Sequence, residues 1–177
     1  MSQTSGHVRY MAIAALLAAM VTVSIVVFRI PLGMGIVHIG DAMIYLAAVL
    51  LPKPYALAVA AIGGATANIV MGLPQWAPAT FIIKPLLVIW FTSKGKIICP
   101  RNTAALFIAW IVNTSLYYVY AGFFIYGSPT APNWVGHLFT SLWGGVAQSG
   151  GSAIVFLLMA AAFDRMDLKK RLRLGTN

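Results

Sequence analysis

Apolar side chains occupy six long runs of this chain, with few polar interruptions. The runs cover residues 8–28, 36–51, 55–71, 76–91, 103–126 and 134–163. A membrane-spanning helix needs roughly 20 mostly apolar residues to cross the hydrocarbon core of a bilayer. The pattern therefore predicts an all-α protein, a six-transmembrane-helix bundle. Residues 1–177 form one integral membrane domain in this interpretation, with a cytoplasmic tail at 164–177.

Short segments that contain proline or glycine separate these runs. The sequence Arg29-Ile30-Pro31-Leu32-Gly33 follows the first run, Pro52-Lys53-Pro54 divides the second from the third, and Gly72-Leu73-Pro74 divides the third from the fourth. Proline has no backbone N–H to continue a helix, so each break predicts a turn. The second run is short, and we expect irregular backbone at 33–35 before it.

Composition agrees with a lipid environment. Hydrophobic residues make up 60% of the chain and charged residues only 8%, too few to cover the surface of a soluble domain. The net charge of +9 would suggest nucleic acid as a partner of a soluble protein, but here the basic residues lie between the runs and in the tail. We therefore expect a lipid bilayer around the protein and no nucleic acid partner.

The basic residues also predict the orientation. Ten of the twelve Lys and Arg residues fall on one side of the six predicted spans: Arg9, Lys53, Lys94, Lys96, Arg101, Arg165, Lys169, Lys170, Arg171 and Arg173. Cytoplasmic loops of membrane proteins carry the excess of such residues. Both termini are therefore predicted to be cytoplasmic, and Arg29 is predicted to lie outside.

Two charged residues interrupt the apolar runs. Asp41 lies in the second run and Lys84 in the fourth, about 7 and 12 Å below the outer boundary at 1.5 Å per helical residue. An ionised side chain in hydrocarbon is costly and persists mainly beside a cavity or an opposite charge. We expect the two to meet. A structural ion pair and a ligand contact are equally open interpretations, and one pair can serve both.

Other polar and aromatic residues gather in the same predicted outer half. Asn113, Tyr117 and Tyr120 follow each other at spacings of four and three, which places them on one helical face. The remaining candidates are His38, Asn68, Gln75, Trp76, Thr80 and His137, and Gln148 is a further polar residue of the sixth run. Packing between helices would explain each one singly. Their concentration toward one membrane face favours a substrate-binding pocket that opens to the exterior.

Several kinds of chemistry are excluded by what the sequence lacks. Three acidic residues and the single Cys99, spread over these spans, do not form a carboxylate pair or a nucleophile–base arrangement. The three histidines lack metal-ligand spacing, and there is no glycine-rich phosphate loop. The sequence predicts no catalytic residue, no metal site and no cofactor, and ATP hydrolysis is expected only in partner subunits.

The first run carries a stripe of small residues. Ala14 with Ala18 and Ala15 with Ala19 form two small-xxx-small pairs, which allow another helix to approach closely. The neighbour is either another helix of this chain or a partner protein.

Taken in order, these residues resemble the substrate-binding S components of energy-coupling factor transporters, most closely the riboflavin-type and hydroxymethylpyrimidine-type branch. The resemblance rests on His38-Ile39-Gly40-Asp41-Ala42 with Tyr45, then on Gly63-Gly64, Asn68, Gly72, Pro74, Trp76-Ala77-Pro78 and Ile82-Ile83-Lys84. It covers the second to fourth runs in order, and the six spans and the alanine stripe fit the whole chain.

The resemblance implies a subunit of a vitamin importer in a prokaryotic plasma membrane. Such a subunit binds a vitamin or precursor near the outer face. Its alanine stripe, here Ala14 and Ala18, docks on a membrane-embedded coupling subunit driven by two cytoplasmic ATPases. A buried Asp and Lys beside aromatic rings suit a flat heteroaromatic ligand that bears hydroxyl or amino groups. Pyridoxine or a hydroxymethylpyrimidine is the expected ligand.

Two other functions fit the same residues. Asp41 and Lys84 could serve as a charge relay in a stand-alone channel or proton-coupled carrier, which would need no ATPase. The chain could instead be a membrane scaffold, in which the two charges only brace the helices. Co-purification of partners and of a small ligand separates the three hypotheses.

Overall fold

Helices make up most of the architecture. The computed structural model describes residues 3–32, 35–125, 134–172 and 174. Within these ranges the main helices are α1 Gln3–Val27, α2 Asp41–Leu50, α3 Lys53–Val70, α4 Ala77–Val88, α5 Pro100–Tyr120 and α6 Trp134–Arg165. A short helix α7, Leu168–Arg171, follows α6, and a π-helical turn, Ala121–Ile125, extends α5. The all-α prediction is confirmed, apart from one small hairpin.

That hairpin corrects the predicted second span. Strands β1 Arg29–Leu32 and β2 Gly35–His38 pair antiparallel, with Arg29 opposite His38. A helix from residue 36 was the wrong prediction, because α2 begins only at Asp41. The β-branched residues Ile36 and Val37 favour extended backbone when a partner strand is available. The predicted irregular backbone at 33–35 lies largely outside the described residues.

The other predicted boundaries lie close to the observed helices. The breaks at Pro52 and at Gly72 coincide with the ends of helices, and Gly72 adopts a positive φ of 73° in its turn. Among the described residues, three helical stretches are long and apolar enough to cross a membrane: Gly6–Val27, Pro100–Ile125 and Ser141–Arg165. Helices α2 and α4 are shorter, with 10 and 12 residues. Six crossings and cytoplasmic termini remain predictions.

Helix α2 lies at the centre of the bundle. Every residue from Asp41 to Leu50 is buried, and α2 packs against α1, α3, α4 and α6. A helix that is apolar on all sides is stable only when other helices surround it. Tyr45 stacks on Phe91 with ring centroids 5.1 Å apart and meets the edge of Phe156 at 5.9 Å. These three rings fill the core below Asp41.

Helices α1 and α3 pack closely through a glycine. A Cβ on Gly63 would lie 2.8 Å from the carbonyl oxygen of Ala18, so no larger residue fits without a shift. The Thr22 hydroxyl lies 2.9 Å from the carbonyl oxygen of Gly63 and 3.2 Å from that of Ala18, and it donates to this pair. The polar group in this interface therefore has hydrogen-bond partners.

The connection between α4 and α5 is held by side chains from two other parts of the chain. The Lys53 ammonium donates to the carbonyls of Val88, Ile89 and Phe91 at 2.6–2.9 Å. The Asp164 carboxylate, near the end of α6, accepts from the backbone N–H groups of Ile97 and Ile98, both at 2.9 Å. These bonds fix one end of the bundle.

Candidate functional site

The two intramembrane charges form an ion pair. Asp41 is the first residue of α2 and Lys84 lies in α4, and Lys84 Nζ is 2.6 Å from Asp41 Oδ1. The expectation that the two charges meet is confirmed. Both side chains are almost fully buried, with 2% of Lys84 and 0% of Asp41 exposed. The N-terminus of α2 adds its own partial positive charge beside the carboxylate.

Two amides extend the pair to two more helices. Lys84 Nζ also donates to Asn113 Oδ1 on α5 at 3.0 Å. Gln148 Nε2 on α6 donates to Asp41 Oδ2 at 2.8 Å. We call the side chains of Asp41, Lys84, Asn113 and Gln148 the charged cluster. Together they join α2, α4, α5 and α6. Each charge therefore has an opposite charge and a neutral hydrogen-bond partner, which is the arrangement that a buried ion pair requires.

A second group of polar side chains lies next to the charged cluster. Asn68 Nδ2 donates to the Thr80 hydroxyl, which in turn donates to the carbonyl of Trp76 at 2.9 Å. The single hydroxyl hydrogen of Thr80 is then used, so the Tyr117 hydroxyl, 2.6 Å away, is the donor to Thr80. The Tyr117 ring centroid is 5.3 Å from Lys84 Nζ, a cation–π contact.

Aromatic rings continue from Tyr117 toward the start of α4. The Trp76 ring centroid lies 6.1 Å from that of Tyr117 and 5.8 Å from that of Tyr120. The Tyr120 hydroxyl donates to the backbone carbonyl of Gln75 at 2.6 Å, while the Gln75 residue itself is exposed. The rings give this end of the site the flat apolar surface that suits a ring-shaped ligand.

A close approach of α3 shapes the site beneath these rings. A Cβ on Gly64 would lie 2.7 Å from Thr80 Cγ2 and 3.3 Å from Lys84 Cγ. Only glycine leaves room for both side chains at this position. The Gly63-Gly64 pair therefore serves two interfaces, one with α1 and one with the site.

Most of the candidates taken from the sequence come together here, but not all of them. His38 is half-buried at the end of β2, where its Nδ1 accepts from the Gly40 N–H at 3.3 Å, and no hydrogen bond described in the structure joins it to the charged cluster. The side chain of His137 lies outside the described residues. Gln148 was not among the candidates, although a long polar side chain in an otherwise apolar helix was the available signal.

The two alanine pairs of α1 occupy different environments. Ala14 and Ala18 are half-buried and pack against the core of this chain. Ala15 and Ala19 are exposed. The pair Ala14 and Ala18, which the resemblance assigned to docking on the coupling subunit, therefore contacts other helices of this chain, and the second pair is exposed.

Comparison with known families gives one match. The family model described as the ECF-type riboflavin transporter, S component, matches residues 6–165. This range contains α1 from Gly6 onward, α2 to α6, the charged cluster and the aromatic rings of the site. No curated protein matches the chain.

Proposed function

This chain belongs to the family of ECF-type riboflavin transporter S components, and from that premise we propose that it captures a small water-soluble vitamin or vitamin precursor for import. S components are substrate-binding subunits of energy-coupling factor transporters, not enzymes. The proposal places the protein in a prokaryotic plasma membrane as six spans with cytoplasmic termini. Residues 1–177 form its single domain.

The charged cluster is the observation that carries the proposed binding role. A single ammonium group, Lys84 Nζ, contacts Asp41, Asn113 and the Tyr117 ring inside an apolar bundle. Charged groups at such depth are expensive and generally mark a functional site. A ligand beside this cluster would meet its polar groups and the rings of Trp76 and Tyr120.

The same features support a flat heteroaromatic ligand. Donors and acceptors in the cluster suit hydroxyl or amino groups on a small ring, which favours pyridoxine or a hydroxymethylpyrimidine. The description of the matched family names riboflavin, which is the principal competitor. We propose that Asp41, Lys84, Asn68, Thr80, Asn113, Tyr117 and Tyr120 form the ligand site, with Gln75 and Trp76 at its rim and with His38 and His137 as further contacts.

Energy for transport comes from partner subunits in this proposal. The chain contains no glycine-rich phosphate loop, so ATP would be hydrolysed by two cytoplasmic ATPases that act through a membrane-embedded coupling subunit. The exposed pair Ala15 and Ala19 on α1 is the proposed contact with that subunit, while Ala14 and Ala18 support the position of α1 in the bundle.

Equilibrium binding to the purified protein tests the ligand proposal. Riboflavin, pyridoxine and hydroxymethylpyrimidine are titrated in turn, and one of them is expected to bind with submicromolar Kd. Lys84→Met removes the central ammonium and should weaken binding at least about a hundredfold, as expected for a charged hydrogen-bond donor. Lys170→Met, at an exposed lysine on α7, is the matched control and should bind as the wild type does.

A result without any binding, or equal binding by Lys84→Met, contradicts the proposal. Reconstitution then separates it from a stand-alone carrier or channel. The protein alone in liposomes should not accumulate the vitamin, whereas accumulation by the isolated chain would favour a proton-coupled carrier. A scaffold would show altered folding yield in Asp41→Ala and Lys84→Ala, and no ligand.

A further inference from the structure

Hydrogen-bond donors without partners lie between α5 and α6, directly beside the charged cluster. Trp110 Nε1, Thr114 Oγ1 and Ser149 Oγ are all buried, and none of these atoms has a hydrogen-bond partner among the residues that the structure describes. Trp110 and Thr114 are one turn apart on α5, and Ser149 lies one turn from Gly145 on α6. We call the contact between Trp110 and Thr114 on α5 and Gly145 and Ser149 on α6 the donor seam.

The two helices pass each other antiparallel at the donor seam. A Cβ on Gly145 would lie 3.1 Å from Thr114 Cβ, so these two positions are opposite each other. One turn closer to the α4–α5 connection, Trp110 on α5 and Ser149 on α6 are then also opposite each other. The three donors therefore share one interface rather than lying scattered through the bundle.

The polar groups next to the seam, in contrast, are bonded. Asn113 and Gln148, each one residue away from a seam residue, are bonded in the charged cluster. Thr22, a threonine in the α1–α3 interface, has two carbonyl partners. A buried donor without a partner is costly, and native proteins keep such groups only for a reason. One such reason is that a ligand brings the acceptor atoms when it binds.

We infer that the donor seam opens when ligand binds, and that its three donors then bond to acceptor atoms of a heteroaromatic ligand. The inference rests on the proposed function. It identifies the donor seam as the surface that determines which ligand is bound. The indole N–H of Trp110 can only donate, so it requires an acceptor such as a carbonyl oxygen or an unprotonated ring nitrogen. Rings rich in these acceptors are selected over rings that present only donors.

The two helices are in close contact at the seam and one of them becomes irregular beyond it. Gly145 brings no side chain to the seam, and the Thr114 side chain packs directly against its backbone. Helix α5 ends in the π-helical turn Ala121–Ile125, an irregularity that is often found at functional sites in helices. Movement at this seam would also displace Asn113 and Gln148, which links ligand contact to the charged cluster.

Removing one donor without changing its shape tests the inference. Thr114→Val should raise the Tm of the ligand-free protein, because an unpaired buried hydroxyl is replaced by a methyl group of similar size. The same change should weaken binding of the vitamin about tenfold, the loss expected for one hydrogen bond to the ligand. Ser149→Ala should give the same two opposite effects. Trp110→Phe should weaken binding in the same way, but its smaller ring leaves a cavity, so no rise in Tm is expected from it.

Thr22→Val is the matched control, since its hydroxyl is bonded and lies in the α1–α3 interface. It should lower the Tm and leave the Kd unchanged. All variants are titrated with riboflavin, pyridoxine and hydroxymethylpyrimidine. If the wild type binds one of these and the three seam variants bind it equally well, the inference is wrong while the proposed function stands. If the wild type binds none, both fail.

A disulfide across the seam tests the opening itself. Thr114→Cys with Gly145→Cys, in a Cys99→Ser background, places two thiols across the seam. Their Cβ atoms would be 3.1 Å apart, shorter than in a relaxed disulfide, so the helices must shift slightly to accommodate the bond. The oxidised protein should bind the vitamin at least about tenfold more weakly than the same protein after reduction. Equal binding before and after reduction would show that the seam stays closed and would overturn the inference.

Discussion

At the scale of single residues, the Asp41–Lys84 pair dominates the energetics of the site. The Coulomb attraction across 2.6 Å is offset by the loss of hydration of both groups inside the bundle. The pair is therefore weak evidence for stability by itself. Removing one partner leaves the other charge buried without compensation, which destabilises the folded protein by about 3–5 kcal/mol.

This asymmetry gives a prediction for stability. Lys84→Met should lower the free energy of unfolding by about 3–5 kcal/mol, whereas the double variant Lys84→Met with Asp41→Asn should recover most of that loss. The Tm of the purified protein in detergent measures both effects. A double variant no more stable than Lys84→Met would show that the ion pair itself, and not the uncompensated charge, determines stability.

Residue-level interpretation of the sequence was most successful for charges. Asp41 and Lys84 were identified because hydrocarbon excludes ionised groups, a rule that needs no knowledge of neighbours. Gln148 was passed over as a candidate, because its role depends on its contact with Asp41, 107 positions earlier in the chain. Which of the assembled residues contact ligand is still a prediction.

At the scale of secondary-structure elements, the connection between α4 and α5 illustrates how polar side chains replace regular structure. Asp164 accepts from the N–H groups of Ile97 and Ile98, and Lys169 donates to the carbonyls of Ser93 and Gly95 at 2.9 Å. Partial burial lowers the pKa of the Lys169 ammonium, although the Asp164 carboxylate and Cys99 oppose that shift. The end of α6 and helix α7 therefore anchor this connection.

Two aspartates that lie three residues apart test this anchoring. Asp164→Asn should destabilise the protein by about 2 kcal/mol, since the carboxylate accepts two backbone hydrogen bonds. Asp167→Asn, at an exposed residue 3.6 Å from Lys170, should change stability by less than about 0.5 kcal/mol. Asparagine also tolerates the left-handed φ of 50° at Asp167. Thermal unfolding compares the two, and equal effects would contradict the anchoring role.

Elements were predictable where the local signal was strong. Proline and glycine breaks gave helix ends close to those observed, because both residues act on their own backbone. The hairpin of β1 and β2 was not anticipated. The residues of β2 are as apolar as the start of a membrane helix, and only the partner strand determines that they are extended.

At the scale of the whole molecule, the predicted orientation places the two ends of the helix bundle on opposite sides of the membrane. Arg29 and the hairpin belong to the predicted outer end, while the α4–α5 connection and α7 belong to the cytoplasmic end. Basic residues gather at the second end, in keeping with the rule that such residues favour the cytoplasm. The charged cluster lies between the two ends.

Cysteine labelling tests this orientation. In a Cys99→Ser background, Arg29→Cys should react with a membrane-impermeant maleimide in intact cells, because Arg29 is exposed and belongs to the predicted outer end. Lys170→Cys, also at an exposed position, should react only after the membrane is permeabilised. The opposite pattern, or labelling of both in intact cells, would contradict cytoplasmic termini.

The sequence by itself determined the membrane class, the approximate helices and the family resemblance. These follow from composition, from apolar runs and from local backbone breakers, all of which act over a few neighbouring residues. Only the tertiary structure decided that Gln148 joins Asp41, that Ala18 rather than Ala19 faces the bundle, and that the donors of α5 and α6 lack partners. Such facts depend on residues far apart in the chain, whose contacts are set by the packing of whole helices against one another.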